Sequence, residues 1–178
     1  AIKPAAMNLL SRIQINRKKG EYYLTDILEI AAKEGLKTGV YCLPAENELL
    51  GVNTAQELSR AERICLRRII KELTEKGVVF VDPDSVYIHA GVKAGRETLI
   101  YPNVFLEGNT RIGSGCTIYP NARLTDSTIG NRAIIKDSSV IEESAVGQNA
   151  QIGPFAHLRP GSIIGPRAKI GNFVEIKK

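Results

Sequence analysis

From Ile100 onward the chain repeats itself every six residues. An aliphatic side chain stands at Ile100, Leu106, Ile112, Ile118 and Leu124. The count then slips and resumes at Ile134, Val140, Val146, Ile152, Leu158, Ile164, Ile170 and Ile176. Glycine follows the aliphatic residue at Ile112, Ile129, Val146, Ile152, Ile164 and Ile170, and a small residue sits two places before it at Ala122, Ala150, Ala156, Ser162 and Ala168. A period of six matches neither the 3.6 of a helix nor the alternation of one long strand. It matches a short strand plus a turn, repeated, which is the signature of a parallel β-helix. Three hexads make one triangular coil, with the aliphatic side chain inside and the small residue at the corner. Gly or Asn beside that small residue takes the positive φ of a tight turn. One hexad cannot bury its own face, so coils must stack, and each buried Ile or Leu then contributes roughly 1.5–3 kcal/mol. Asp126-Ser-Thr-Ile-Gly130 and Glu143-Ser-Ala-Val-Gly147 lie seventeen residues apart rather than eighteen, so these coils are expected to be trimmed at a corner.

The rest of the composition mainly excludes. No apolar run reaches membrane-spanning length, and Ala1-Ile-Lys-Pro4 has no signal-peptide core. The three cysteines, Cys42, Cys65 and Cys116, are too few and too scattered for a disulfide framework or a zinc site, and they suit a reducing cytoplasm. A net charge of +5 permits a phosphate-bearing partner but does not argue for nucleic acid. The chain starts without Met and stops in mid-repeat, so it reads as a segment of a longer protein.

Ahead of the repeats, residues 5–15 suggest a helix, and Asn16 to Gly20 a polar turn. Thr25 would cap a second helix ending before Gly35, and Thr38 to Leu43 would form a short strand. This alternation resembles the edge of an α/β domain. Thr54-Ala-Gln-Glu57 is a capping box opening a long helix to Lys76, stopped by Gly77. Leu66, Ile69, Ile70 and Leu73 form its apolar stripe, and Arg60, Arg63, Arg67 and Lys71 a second, basic one, which suits an anionic partner or, with Glu57, Glu62 and Glu72 nearby, a solvated face. Val78 to Val81 would be a buried strand after it.

Several stretches carry a resemblance. Gly20-Glu-Tyr-Tyr-Leu-Thr-Asp26, Gly51-Val-Asn53 and Glu57-Leu-Ser-Arg-Ala-Glu-Arg63 resemble the last part of a bacterial sugar-phosphate uridylyltransferase domain. Gly153-Pro-Phe-Ala-His-Leu-Arg-Pro-Gly161 and Gly171-Asn-Phe-Val-Glu-Ile-Lys177 resemble the acetyltransferase domain that follows it. The family is the bifunctional N-acetylglucosamine-1-phosphate uridylyltransferase / glucosamine-1-phosphate N-acetyltransferase.

The resemblance implies a mixed fold. A C-terminal left-handed parallel β-helix (77–178) is joined by a linker helix (56–76) to the remnant of an α/β nucleotidyltransferase domain (1–55). It implies acetyl transfer from acetyl-CoA to glucosamine-1-phosphate, then Mg²⁺-dependent coupling to UTP, in a cytoplasmic homotrimer with no nucleic-acid or membrane partner. Arg159 and Lys177 match the family's sugar-phosphate contacts. Being eighteen residues apart, they should stack on adjacent coils and share one anion. Asn53 matches its residue for the uridylyl product and Mg²⁺. The general-base His of the family falls beyond Lys177, so no catalytic residue is assigned here and the segment is expected to be inactive alone. His157 should point outward, and Cys116 should be a packing residue. The competing readings are a non-catalytic trimerising module and another hexapeptide acyltransferase.

Overall fold

The computed structural model describes residues 4–42 and 49–177. The chain forms two compact units, Ala1–Leu49 and Leu50–Lys178.

The first unit opens with a 3-10 helix, Pro4–Arg12, shorter and tighter than the helix expected over 5–15. The turn at Asn16 is present: Asn16 Oδ1 accepts from the amides of Lys18 and Lys19 at 3.1 and 3.3 Å, and Asn16 bridges to Glu21. Helix α1 is Ile27–Lys33. Its cap is not Thr25. That residue lies inside a 3-10 turn, Leu24–Asp26, and Asp26 precedes α1 in helical geometry with no side-chain cap. The turn supplies backbone bonds that a hydroxyl cap would otherwise provide. The end is as expected. Gly35 takes a φ of +69, its amide donates to Ala32 O, and Leu36 N donates to Ala31 O, a Schellman closure. Leu9, Ile27 and Ala31 form a small buried cluster. The strand expected from Thr38 does not form over 38–42, where Val40 and Tyr41 are exposed, and Leu43 lies outside the described residues. A β-prone stretch needs a strand to pair with, and the described residues of the first unit form none.

The second unit begins with helix α2, Ala55–Glu75. The capping box is complete. Glu57 N donates to Thr54 Oγ1 at 3.2 Å, and Glu57 Oε2 accepts from Thr54 N at 2.9 Å. Gly77 ends the helix at a φ of +89, with Val78 N donating to Leu73 O. Ile70, Leu73 and Val78 are buried in the same core as the solenoid, with Leu66 and Ile69 packed against it. The stretch expected to be a buried strand, Val78 to Val81, reduces to Val79–Phe80 with Val79 and Val81 exposed, because here too every second side chain faces out.

Three parallel sheets of six, six and five strands then form the faces of a prism. The first face climbs through Val79–Phe80, Leu99–Ile100, Thr117–Ile118, Ile134–Ile135, Gln151–Ile152 and Lys169–Ile170. The second climbs through Tyr87–Ile88, Phe105–Glu107, Arg123–Thr125, Val140–Glu142, His157–Leu158 and Glu175–Ile176. The third climbs through Lys93–Ala94, Arg111–Ile112, Thr128–Ile129, Ala145–Val146 and Ile163–Ile164. This is the left-handed parallel β-helix that the repeats imply.

The inward column corrects the phase read from the sequence. Ile134 and Val140 face outward, whereas Ile129, Ile135 and Ile141 are buried. The cause is the trimmed corner, which occurs twice. Thr128 pairs with Ala145, seventeen residues on, and Asp126 and Glu143 turn the chain with φ of 44 and 41 where Gly108-Asn109 do so one coil earlier. Each missing residue shifts the phase by one.

At the corners, Asn121, Asn149 and Gly161 take positive φ beside a small residue, as expected, but so do Arg132, Phe155 and Arg167. Gly113, Gly130 and Gly147, each after an aliphatic residue, answer a different constraint. A Cβ on Gly130 would stand 2.6 Å from Gln148 N, and one on Gly113 2.7 Å from Asn131 N. The next coil passes too close for a side chain. Inside the corner between the second and third faces runs a buried hydroxyl ladder: Ser127 N donates to Thr110 Oγ1 at 3.3 Å, Ser144 N to Ser127 Oγ at 3.1 Å, and Ser144 Oγ to Arg159 O at 2.9 Å. These hydroxyls satisfy backbone groups that the tight corner takes out of the ladder.

Candidate functional site on the second face

The outer side of the second face carries the candidate residues because of its register. His157 pairs with Val140 below and Glu175 above, and Leu158 with Ile141 and Ile176. Leu158 and Ile141 point inward, so their neighbours Glu142, His157, Arg159, Glu175 and Lys177 all project from one surface. Arg159 and Lys177 therefore stand at the same corner on adjacent coils, and Arg159 N donates to Ile176 O at 3.1 Å.

Their charged ends meet at a residue that the sequence did not single out. Arg159 Nη1 lies 3.4 Å from Glu175 Oε1, and Lys177 Nζ lies 3.6 Å from Glu175 Oε2. One coil down the same diagonal repeats: His157 Nε2 lies 2.8 Å from Glu142 Oε2. Arg159, Glu175, His157 and Glu142 are half-exposed and Lys177 more so, so each pair contributes little to stability. Their consequence is geometric, since one carboxylate holds two cations on a common point. Glu142 and Glu175 each sit next to an inward aliphatic residue, so the repeat marks them as outward, but it does not mark their partners.

His157 faces outward as expected, and His89 Nδ1 accepts from Gly108 N at 3.0 Å on a lower coil. Below the acid–base ladder the same face carries a stack of flat groups. Tyr87 and Phe105 lie 5.1 Å apart, and the Arg123 guanidinium is 4.8 Å from the Phe105 ring. Cys116 is buried, with Sγ 3.2 Å from Gly130 O, and burial pushes its thiol above the usual range. That is a packing residue, not a nucleophile.

Asn53 sits at the mouth of α2, where its backbone N–H donates to Glu57 Oε2 at 2.8 Å. That carboxylate also accepts from Thr54 N, and the two amides with the Thr54 hydroxyl hold it below the usual carboxylate range. Among the described residues no group of three or more His, Cys, Asp or Glu is placed to hold a metal ion. Mg²⁺ prefers six oxygens at near-octahedral angles, and one amide oxygen beside one engaged carboxylate does not supply that. The residues present do not make a magnesium site by themselves. The basic side chains of α2 are exposed, with Arg67 3.6 Å from Asp84 and Lys71 3.9 Å from Glu75. Among the described residues no helix is long and apolar enough to cross a membrane.

Known proteins resemble this architecture and sequence. The family model described as the GMPPB C-terminal domain matches residues 83–178. The bifunctional protein GlmU of Thermodesulfovibrio yellowstonii is 49% identical over 99% of this chain and 39% of its own length. That of Lactobacillus johnsonii is 47% identical over 95% of this chain and 36% of its own. The chain thus spans a little over a third of the curated relatives it matches. Among solved structures, the acetyltransferase domain of PglB from Neisseria gonorrhoeae, in complex with acetyl coenzyme A, superposes with a TM-score of 0.51 at 14% identity. The match covers 65% of this chain and 60% of that one, a likeness of fold. By the family model over its solenoid, the chain belongs to the GMPPB C-terminal domain family, and along nearly its whole length it is similar to the GlmU proteins.

Proposed function

We propose that this chain is the acetyl-transfer portion of a longer two-activity protein, and that Arg159 and Lys177 receive the phosphate of glucosamine-1-phosphate. The observation that supports this is the convergence of both cations on the Glu175 carboxylate, within 3.6 Å. A planar guanidinium and a point charge aimed at one spot suit an anion with several oxygens. With the phosphate held there, the sugar's neutral amine attacks the thioester carbonyl of acetyl-CoA. A C–N bond forms, the C–S bond breaks, the amine proton passes to a general base, and the CoA sulfur leaves and takes a proton. Neither histidine of this chain is assigned as that base, since His157 is engaged with Glu142 and His89 with Gly108 N. The family's base is expected past Lys177, so this polypeptide by itself turns over little or no substrate.

For uridylyl transfer from UTP, the chain contributes Asn53 in this reading, and the magnesium donors come from elsewhere. The intact protein is a cytoplasmic homotrimer.

Calorimetric titration with glucosamine-1-phosphate tests the site. Arg159→Ala and Lys177→Ala should each weaken binding by about tenfold or more, the loss of one charge-assisted contact. Unchanged affinity in both would remove the reading and leave a non-catalytic solenoid module. Assays for free CoA thiol and pyrophosphate test the expected inactivity; turnover comparable to a complete enzyme would overturn it.

A further inference from the structure

The outer side of the second face holds four ionisable groups on three successive rungs. Glu142 and His157 form one diagonal pair, at 2.8 Å, and Arg159 and Glu175 a parallel pair one coil higher, at 3.4 Å. Across the rungs, however, His157 is the direct register partner of Glu175. Residues directly opposite on neighbouring strands, as well as diagonal ones, are within reach of long side chains. Glu175 therefore has two possible pairings on the rung below it, and the one present leaves it on the cations.

An anion arriving at Arg159 and Lys177 must displace that carboxylate. Glu175 then needs another partner. The groups around His157 are Glu142 from the strand below, Glu175 from the strand above and Arg159 on its own strand. Two coils down, Arg123 is turned toward Glu107, at 3.9 Å. Of these, only His157 can gain a positive charge near neutral pH. We propose that His157 is a positioning residue for the phosphate site: on anion binding it takes up a proton and receives the Glu175 carboxylate released by Arg159 and Lys177. Binding and protonation are then linked, and each favours the other by the same factor. This rests on the reading of Arg159 and Lys177 as the phosphate site.

The test uses the whole chain with glucosamine-1-phosphate and with inorganic phosphate as probes, between pH 8 and pH 6. Both probes themselves titrate within this range, so the comparison is with His157→Gln, which keeps a polar side chain but carries no ionisable ring. Wild-type affinity should rise on acidification by at least about fivefold more than that of the variant, the lower end of ordinary coupling. Glu175→Gln should bind more tightly than wild type at pH 8 and lose most of the slope. The chain has two histidines, so proton NMR resolves both, and the His157→Gln spectrum assigns them. Saturating probe should move the titration midpoint of His157 upward and leave His89 in place.

An equal pH slope in wild type and His157→Gln, or an unmoved His157 midpoint at saturation, overturns the inference while the phosphate site stands. Binding that survives Arg159→Ala and Lys177→Ala unchanged overturns the site itself and the inference with it.

Discussion

Gly147 lies beneath Pro166 so closely that a Cβ on the glycine would stand 2.5 Å from the proline nitrogen. Real side chains do not approach backbone at that distance, so a methyl group there must push two coils apart. Gly147→Ala is expected to lower stability by about 2–3 kcal/mol, the usual cost of overpacking. Gly165 is its counterpart one coil on, and nothing lies within 4 Å of the position its Cβ would take. Gly165→Ala should be neutral or stabilise by about 0.5 kcal/mol through the unfolded chain. Urea midpoints by circular dichroism separate the two; equal losses would mean that clearance is not what these glycines provide.

The mouth of α2 should respond to acid. Two backbone amides and the Thr54 hydroxyl lower the Glu57 carboxyl below its ordinary value. A depressed carboxyl contributes its stabilisation in full above the unfolded-state value, about pH 4.3, and loses it as pH falls through the folded-state value. Glu57→Gln should therefore flatten the acid limb of the stability curve below about pH 4.3 while changing little at pH 7 in its slope. Thr54→Ala, which removes the other half of the box, should cost about 1 kcal/mol. Unfolding midpoints measured from pH 3 to pH 7 check both; parallel acid limbs in wild type and Glu57→Gln would contradict the assignment.

Cysteine chemistry offers a third check. Cys42 and Cys65 are exposed, whereas Cys116 is buried and its thiol is raised by that burial. A thiol reagent such as 5,5′-dithiobis(2-nitrobenzoate) at pH 8 should label two groups promptly and the third only after denaturant is added. Three fast equivalents in the native state would show that the corner at Cys116 opens.

The solenoid was legible in sequence because every coil gives its residues the same environment, so one six-residue rule repeats. Where the environment changes, the rule misleads. Ile134 and Val140 are as hydrophobic as Ile135 and Ile141, and only the two shortened corners at Asp126 and Glu143 decide which pair is buried. The slip and the seventeen-residue spacing were visible in the sequence, but not which position each shortened corner moves into the buried column. Thr25 failed as a cap because a 3-10 turn makes local backbone bonds that composition does not announce. At the candidate site, the stacking of Arg159 on Lys177 followed from arithmetic, since eighteen residues is one full coil. Glu175 and Glu142 did not, because charge on an outward position carries no sign of its partner until the register is fixed.

The two abbreviated corners also say where this molecule can absorb change. Asp126 and Glu143 make the turn in one residue that Gly108-Asn109 make in two, yet the strands on either side keep their partners. Chain length at that edge is uncoupled from the lattice of the three walls. It is the natural seam for grafting a foreign peptide, a label or a tether, with Asp126 the better of the two positions because Glu143 adjoins Glu142.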